Sequence, residues 1–125
     1  MHENEISYLI RKAIFQVYNN LGPGLLESVY CKALADELKS LGLQIKHEVS
    51  LPYYYKNNSM HSGFRIDILV EEKVIIEVKS VKLIADIHHK QVLTYLRLSG
   101  LKLGLLVNFN SSNISKSIFR KVNNL

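Results

Sequence analysis

The sequence predicts one α/β (α+β) domain over residues 1–125, with helices flanking an antiparallel β-meander. Three observations carry that prediction. Apolar residues recur at steps of three and four in three separate stretches, near-alternation replaces that period between Gln44 and Val81, and turn-forming residues mark the junctions.

In chain order, Ile6, Leu9, Ile10, Ala13, Ile14, Val17 and Leu21 form the apolar stripe of a first amphipathic helix from Glu3 to Leu21. Gly22-Pro23-Gly24 breaks it, because Pro23 fixes its own φ and disfavours helix in the residue before. A second helix is predicted from near Leu25 to about Leu41, with Leu26, Val29, Tyr30, Ala33, Leu34 and Leu38 facing the core and Gly42 as its left-handed stop. Gln44 to Tyr55 reads as a strand, joined by a hairpin at Lys56-Asn57-Asn58-Ser59 to a second strand from about Gly63 to Val70. The chain turns at Glu71-Glu72-Lys73 and returns as Val74 to Val81, which completes the meander. Helical spacing resumes from Lys82 to Ser99, a last apolar strand runs from Leu103 to Phe109, and Ile118, Phe119 and Val122 suit a short edge strand or a docking tail.

Composition narrows the class of protein. Hydrophobic residues make up 47% and charged residues 22%, enough to bury a core without disulfides or a structural metal. Cys31 is the sole cysteine, which rules out a disulfide framework, a cysteine zinc cage and a four-cysteine iron–sulfur cluster. The 16 Lys and Arg against 11 Asp and Glu give +5, a balance that permits a polyanionic partner. No apolar run approaches the roughly 18 residues of a membrane span, so no membrane partner is expected and a reducing cytoplasm is the expected location.

The chemistry concentrates between Phe64 and Ser80, where Asp67 and Glu77 interrupt otherwise apolar strands. A carboxylate in such a setting is costly unless a cation compensates it. A turn centred on Glu72 would set Asp67 opposite Glu77, with Lys79 on the same face; a shift by one residue would separate them. Two carboxylates in an oxygen-only environment suit Mg²⁺, with Mn²⁺ as a substitute. Lys79 could orient or help deprotonate an attacking water, or neutralise phosphoryl charge. The plainer reading of Glu77-Val78-Lys79 is an exposed ion pair, which the apolar flanks disfavour. Glu27 lies on or at the edge of the second helix's apolar stripe, where a first-turn acid favoured by the helix dipole is the plainer reading. Gln91 and Tyr95, one turn apart, can present an amide and a phenol to one spot, and His88 shares their side of the helix.

In this order the residues resemble the PD-(D/E)XK nuclease superfamily. Gly24-Leu25-Leu26-Glu27-Ser28-Val29-Tyr30 further resembles the signature of its small GxxExxY group, and His88-His89-Lys90-Gln91, Tyr95-Leu96 and Gly104 to Phe109 extend the similarity over nearly the whole chain. The resemblance implies a restriction-endonuclease-like core, a central mixed β-sheet with helices on both sides and one active site at its edge. It also implies Asp67 and Glu77 as metal ligands with the Val78 carbonyl, Lys79 as the catalytic lysine, and Glu27 as an accessory acid acting through water. Gln91 and Tyr95 match a QxxxY element that supports the site and contacts DNA. Ile66 stands where the proline of the family name would be.

The resulting expectation is a Mg²⁺-dependent nuclease acting on nucleic acid, DNA ahead of RNA. Lys46, Lys82, Lys90, Arg97 and Arg120, with His88, are the candidate backbone contacts. A homodimer is compatible with cutting both strands. The alternatives are a nuclease-like module that binds nucleic acid or protein without cutting, and an interaction domain whose acids pair with Lys79 and Arg65.

Overall fold

A computed structural model describes residues 1–60 and 64–125. Its elements are α1 (Glu3–Leu21), α2 (Glu27–Ser40), β1 (Ile45–Ser50), β2 (Tyr53–Tyr55), β3 (Asn58–Met60), β4 (Arg65–Val70), β5 (Val74–Lys79), α3 (Asp86–Ser99), β6 (Leu103–Asn108) and β7 (Ile118–Val122). A single 3₁₀ turn, Ile114–Lys116, precedes β7. Five strands form one sheet in the order β1-β4-β5-β6-β7. Only β5 and β6 run parallel, so the sheet is mixed, and α3 supplies the crossover between them. The expected edge strand at Ile118 exists as β7, antiparallel to β6.

Helices cover both faces. Ile6, Ile10, Ile14 and Val17 of α1 and Tyr30, Leu34 and Leu38 of α2 pack with Ile68, Val70, Val74, Ile76 and Val78 on one side. Val92 and Leu96 of α3 pack with Leu69, Ile75 and Leu106 on the other. Residues 75 and 76 alternate between these cores, as a strand buried on both faces must. At Gly104 this packing is tight: a Cβ there would lie 2.7 Å from Val92 Cγ1.

Three expectations need correction, and a fourth falls outside the described residues. The stretch Gln44 to Tyr55 is two strands, because Pro52 has no N–H to give a ladder; β1 pairs with β4, and β2 pairs with β3 in a separate hairpin. The expected strand start at Gly63 lies outside the described residues. The third helix begins at Asp86 instead of Lys82, and Leu83, within the stretch expected to be helical, is 78% exposed. At the start of α2 the expected core residues Leu26, just before the helix, and Val29 face solvent while Tyr30, Leu34 and Leu38 are buried.

Candidate active site

The β4–β5 ladder has the register centred on Glu72: Val70 pairs with Val74, Leu69 with Ile75 and Ile68 with Ile76. The next pair in that register is Asp67 with Glu77. There the regular ladder ends, and Asp67 Oδ2 accepts the Val78 N–H at 2.8 Å in place of a backbone carbonyl. The departure is visible in packing, since Ile68 belongs to the core under α1 and α2 while Ile66 belongs to the core under α3. On the other side of β4, Glu48 falls between the pairs His47–Ile68 and Val49–Ile66 and has φ +46°, a strained conformation for a non-glycine residue. The strand is thus bent where Asp67 leaves it.

Glu77 is 3% exposed, and among the described residues its buried Oε1 has no hydrogen-bond partner. Burial, followed by the charge of Asp67 and a side-chain hydrogen bond with it, pushes the Glu77 carboxyl up to about 9, against an opposing pull from Lys79. Lys79 is two residues along the same strand and so shares the face of Glu77. Val78 uses its N–H toward β4, whereas the Lys79 carbonyl accepts from Phe109 N on the β6 side. By strand alternation the Val78 carbonyl is also directed toward the gap beside Asp67.

The loop before α2 brings in Glu27. Gly24 has φ +98°, a conformation that favours glycine. The buried Tyr30 pins this loop: its hydroxyl donates to Gly22 O at 2.5 Å and accepts from Leu25 N at 3.1 Å, while its ring stacks on Phe109 at 4.5 Å. Ser80 joins loop to sheet, donating through Oγ to Leu25 O at 2.6 Å and through N–H to Glu27 Oε2 at 3.2 Å. The glycine, glutamate and tyrosine of the 24–30 segment therefore act as turn, acid and pin. Glu27 and Asp67 line one cleft of about 380 Å³ with Ser28, Cys31, Lys32, His47 and Glu48. The cleft is rich in acids: burial, and then the charges of Asp67, Glu27, Glu77 and Glu48, push the Cys31 thiol up to about 12.

From the opposite face α3 presents Gln91 and Tyr95. Burial, followed by the charges of Glu77 and Asp67, raises the Tyr95 phenol above its ordinary range, with Gln91 opposing the rise. Tyr95 also stacks on Phe64 at 4.6 Å. His88 serves the helix end, its Nδ1 accepting from Ala85 N at 3.0 Å. Lys82 lines a different, polar hollow with His89, Asn108 and Asn110, and Lys90 is exposed on α3. Two expected backbone contacts are occupied: Lys46 pairs with Glu72, and Arg120 donates to Asn4 Oδ1 and Ser7 Oγ on α1.

These residues fit a hard divalent cation. The donors at the acid pair are oxygens, one carboxyl oxygen is buried and unpartnered among the described residues, and the flanking thiol is held protonated by burial and then by its acidic neighbours. Among the described residues no group of three or more His, Cys, Asp or Glu side chains converges on one point. Sequence reading missed His47, Glu48, Lys32 and Ser80. His47 and Glu48 carry no local signal, since the β1–β4 pairing brings them to the cleft, whereas Lys32 follows from its place on α2 one turn beyond Ser28. Ser80 carried the one weak signal of adjacency to Lys79.

No curated protein and no solved structure gives a match to this chain. A family model for the PD-(D/E)XK nuclease superfamily matches residues 4–121, from the first turn of α1 into β7. The matched span contains both core faces, the bent hairpin with its paired acids and lysine, and the supporting helices. By that match over nearly its full length, the chain belongs to the PD-(D/E)XK nuclease superfamily.

Proposed function

We propose that the protein is a metal-dependent nuclease that hydrolyses phosphodiester bonds of nucleic acid, DNA ahead of RNA, with Mg²⁺ as cofactor and Mn²⁺ as substitute. The observation that carries this reading is the buried, unpartnered Glu77 Oε1 beside Asp67. A carboxyl that is neutral at physiological pH without a cation has no evident structural use in the middle of an apolar strand.

Asp67, Glu77 and the Val78 carbonyl would hold the ion, with Glu27 reaching it through water. Once bound, the ion would polarise the scissile phosphate and acidify a water for in-line attack. Lys79 sits on the ligand face, where its ammonium can orient the water or offset charge developing on the phosphoryl oxygens. Gln91 and Tyr95 close the site from the α3 side and are suited to hold the nucleic-acid backbone. The negative cleft repels phosphate until the ion neutralises it, so substrate binding near the acids should depend on the metal. One acid pair per chain cuts one strand, so a double-strand break calls for two copies acting together.

The test is cleavage of single-stranded, duplex and branched DNA, and of RNA, with Mg²⁺ or Mn²⁺. Wild type should cut at least one of them, and Asp67→Ala and Lys79→Ala should each be inactive. Cleavage that survives either substitution would refute the assignment. Binding without cleavage in Mn²⁺ would assign the non-catalytic module instead.

A further inference from the structure

The β2–β3 hairpin has a composition and a placement that core formation does not account for. Tyr53 pairs with Met60, Tyr54 with Ser59 and Tyr55 with Asn58, across a turn whose central residues Lys56 and Asn57 have φ +49° and +66°. It adds nothing to the five-stranded sheet. Among the described residues Tyr53 packs against the core, while Tyr54 is 71% exposed and Tyr55 60%. Lys56 Nζ lies 5.5 Å from the Tyr55 ring centre.

The root of this hairpin reaches the acid pair through aromatic rings. Tyr53 lies 6.0 Å from Phe64, Phe64 stacks on Tyr95 at 4.6 Å, and the Tyr95 phenol is close enough to Glu77 and Asp67 to feel their charge. An isolated two-stranded hairpin is marginal in water, so this anchoring is what fixes its position. Alternation directs Tyr54 away from the face shared by Tyr53 and Tyr55. The tip therefore carries aromatic surface on both faces and a cation at the turn, mounted on the α3 side where Gln91 and Tyr95 meet the site.

We propose that this hairpin is a stacking arm for unpaired nucleobases, so that the substrate is single-stranded nucleic acid or a splayed end. Flat rings beside a lysine suit bases joined by phosphates: each base has a π-face to stack, and the ammonium takes the backbone charge. Bases within a duplex have their faces covered and offer nothing to Tyr54 or Tyr55. This assignment rests on the nuclease reading, which supplies the reason for nucleic acid at this end of the molecule.

The experiment compares oligo-dT with an abasic strand of equal length and charge, by fluorescence anisotropy in EDTA. Because binding is read without turnover, the result is independent of whether the chain cuts. Wild type should bind oligo-dT more tightly than the abasic strand by about tenfold or more. The double variant Tyr54→Ala, Tyr55→Ala should lose that preference while its melting temperature stays unchanged. No preference in wild type, or a preference that survives in the double variant, would overturn the proposal. So would a change of oligomeric state in the double variant with base preference intact, which would mark the hairpin as a contact between copies. Failure of cleavage by wild type would refute the nuclease reading and leave the stacking result standing.

Discussion

Replacing Glu77 by glutamine should stabilise the metal-free protein, by an amount that grows with pH. The carboxyl titrates near 4.5 when unperturbed and at about 9 in the fold. An acid with its folded pKa above its unfolded value binds more protons folded than unfolded, so between those limits stability falls as pH rises. At about 1.4 kcal/mol per pH unit, the interval from 4.5 to neutrality amounts to roughly 3 kcal/mol at pH 7. Glutamine carries no titrating proton in either state and escapes this cost. Thermal melts in EDTA from pH 5 to 9 should show wild type losing stability across the range and Glu77→Gln staying flat. At neutral pH the difference should be on the order of 10 °C for a chain of this size. Added Mg²⁺ should raise the wild-type melting temperature much more than that of the variant. Parallel pH profiles in EDTA, or a variant less stable than wild type at every pH, would refute the picture of Glu77 as a strained acid awaiting a cation.

Two other consequences are open to direct measurement. Cys31, held near 12 by burial and by the acids around it, should react slowly with a thiol reagent at pH 8 in EDTA. Divalent metal or Asp67→Asn should speed that labelling, and a rate insensitive to both would show that the cleft lacks the inferred negative potential. Gly104→Ala drives a Cβ to 2.7 Å from Val92 Cγ1, and valine is stiff about χ1, so α3 has to move. The expected cost is about 1–3 kcal/mol in denaturant unfolding, with reduced cleavage as Gln91 and Tyr95 shift relative to the acids. A variant as stable as wild type would mean that Val92 repacks without moving the helix.

Much of this arrangement is legible in the chain because it depends on short-range pattern. The Glu72-centred register follows from where the apolar run of β4 stops and that of β5 begins, and it brings Asp67 and Glu77 to the point where the regular ladder ends and Asp67 takes the Val78 N–H. Glu27 was identifiable as an acid at the edge of a helix stripe. What lay hidden is set by contacts between distant segments. The stretch from Lys82 to Ala85 has helical spacing, yet Asn108 holds Val81 through both its N–H and its carbonyl, at 3.1 and 2.9 Å, and keeps the chain extended before Asp86. The break at Pro52 carried a local signal that the apolar and aromatic pattern around it outweighed. Glu48 enters the cleft only because β1 lies beside β4, a neighbourhood that no spacing rule encodes. Tyr30 had the opposite fate: it reads as a core residue, and its hydroxyl turns out to fix the loop that carries Glu27.

The most direct test of the central claim is a calorimetric titration of Mg²⁺ and Mn²⁺ into wild type and Asp67→Ala at pH 7. The paired acids predict binding of about one cation per chain in wild type, accompanied by release of the Glu77 proton, and no binding in Asp67→Ala. Equal binding in both proteins, or none in wild type, would contradict a metal site at Asp67 and Glu77.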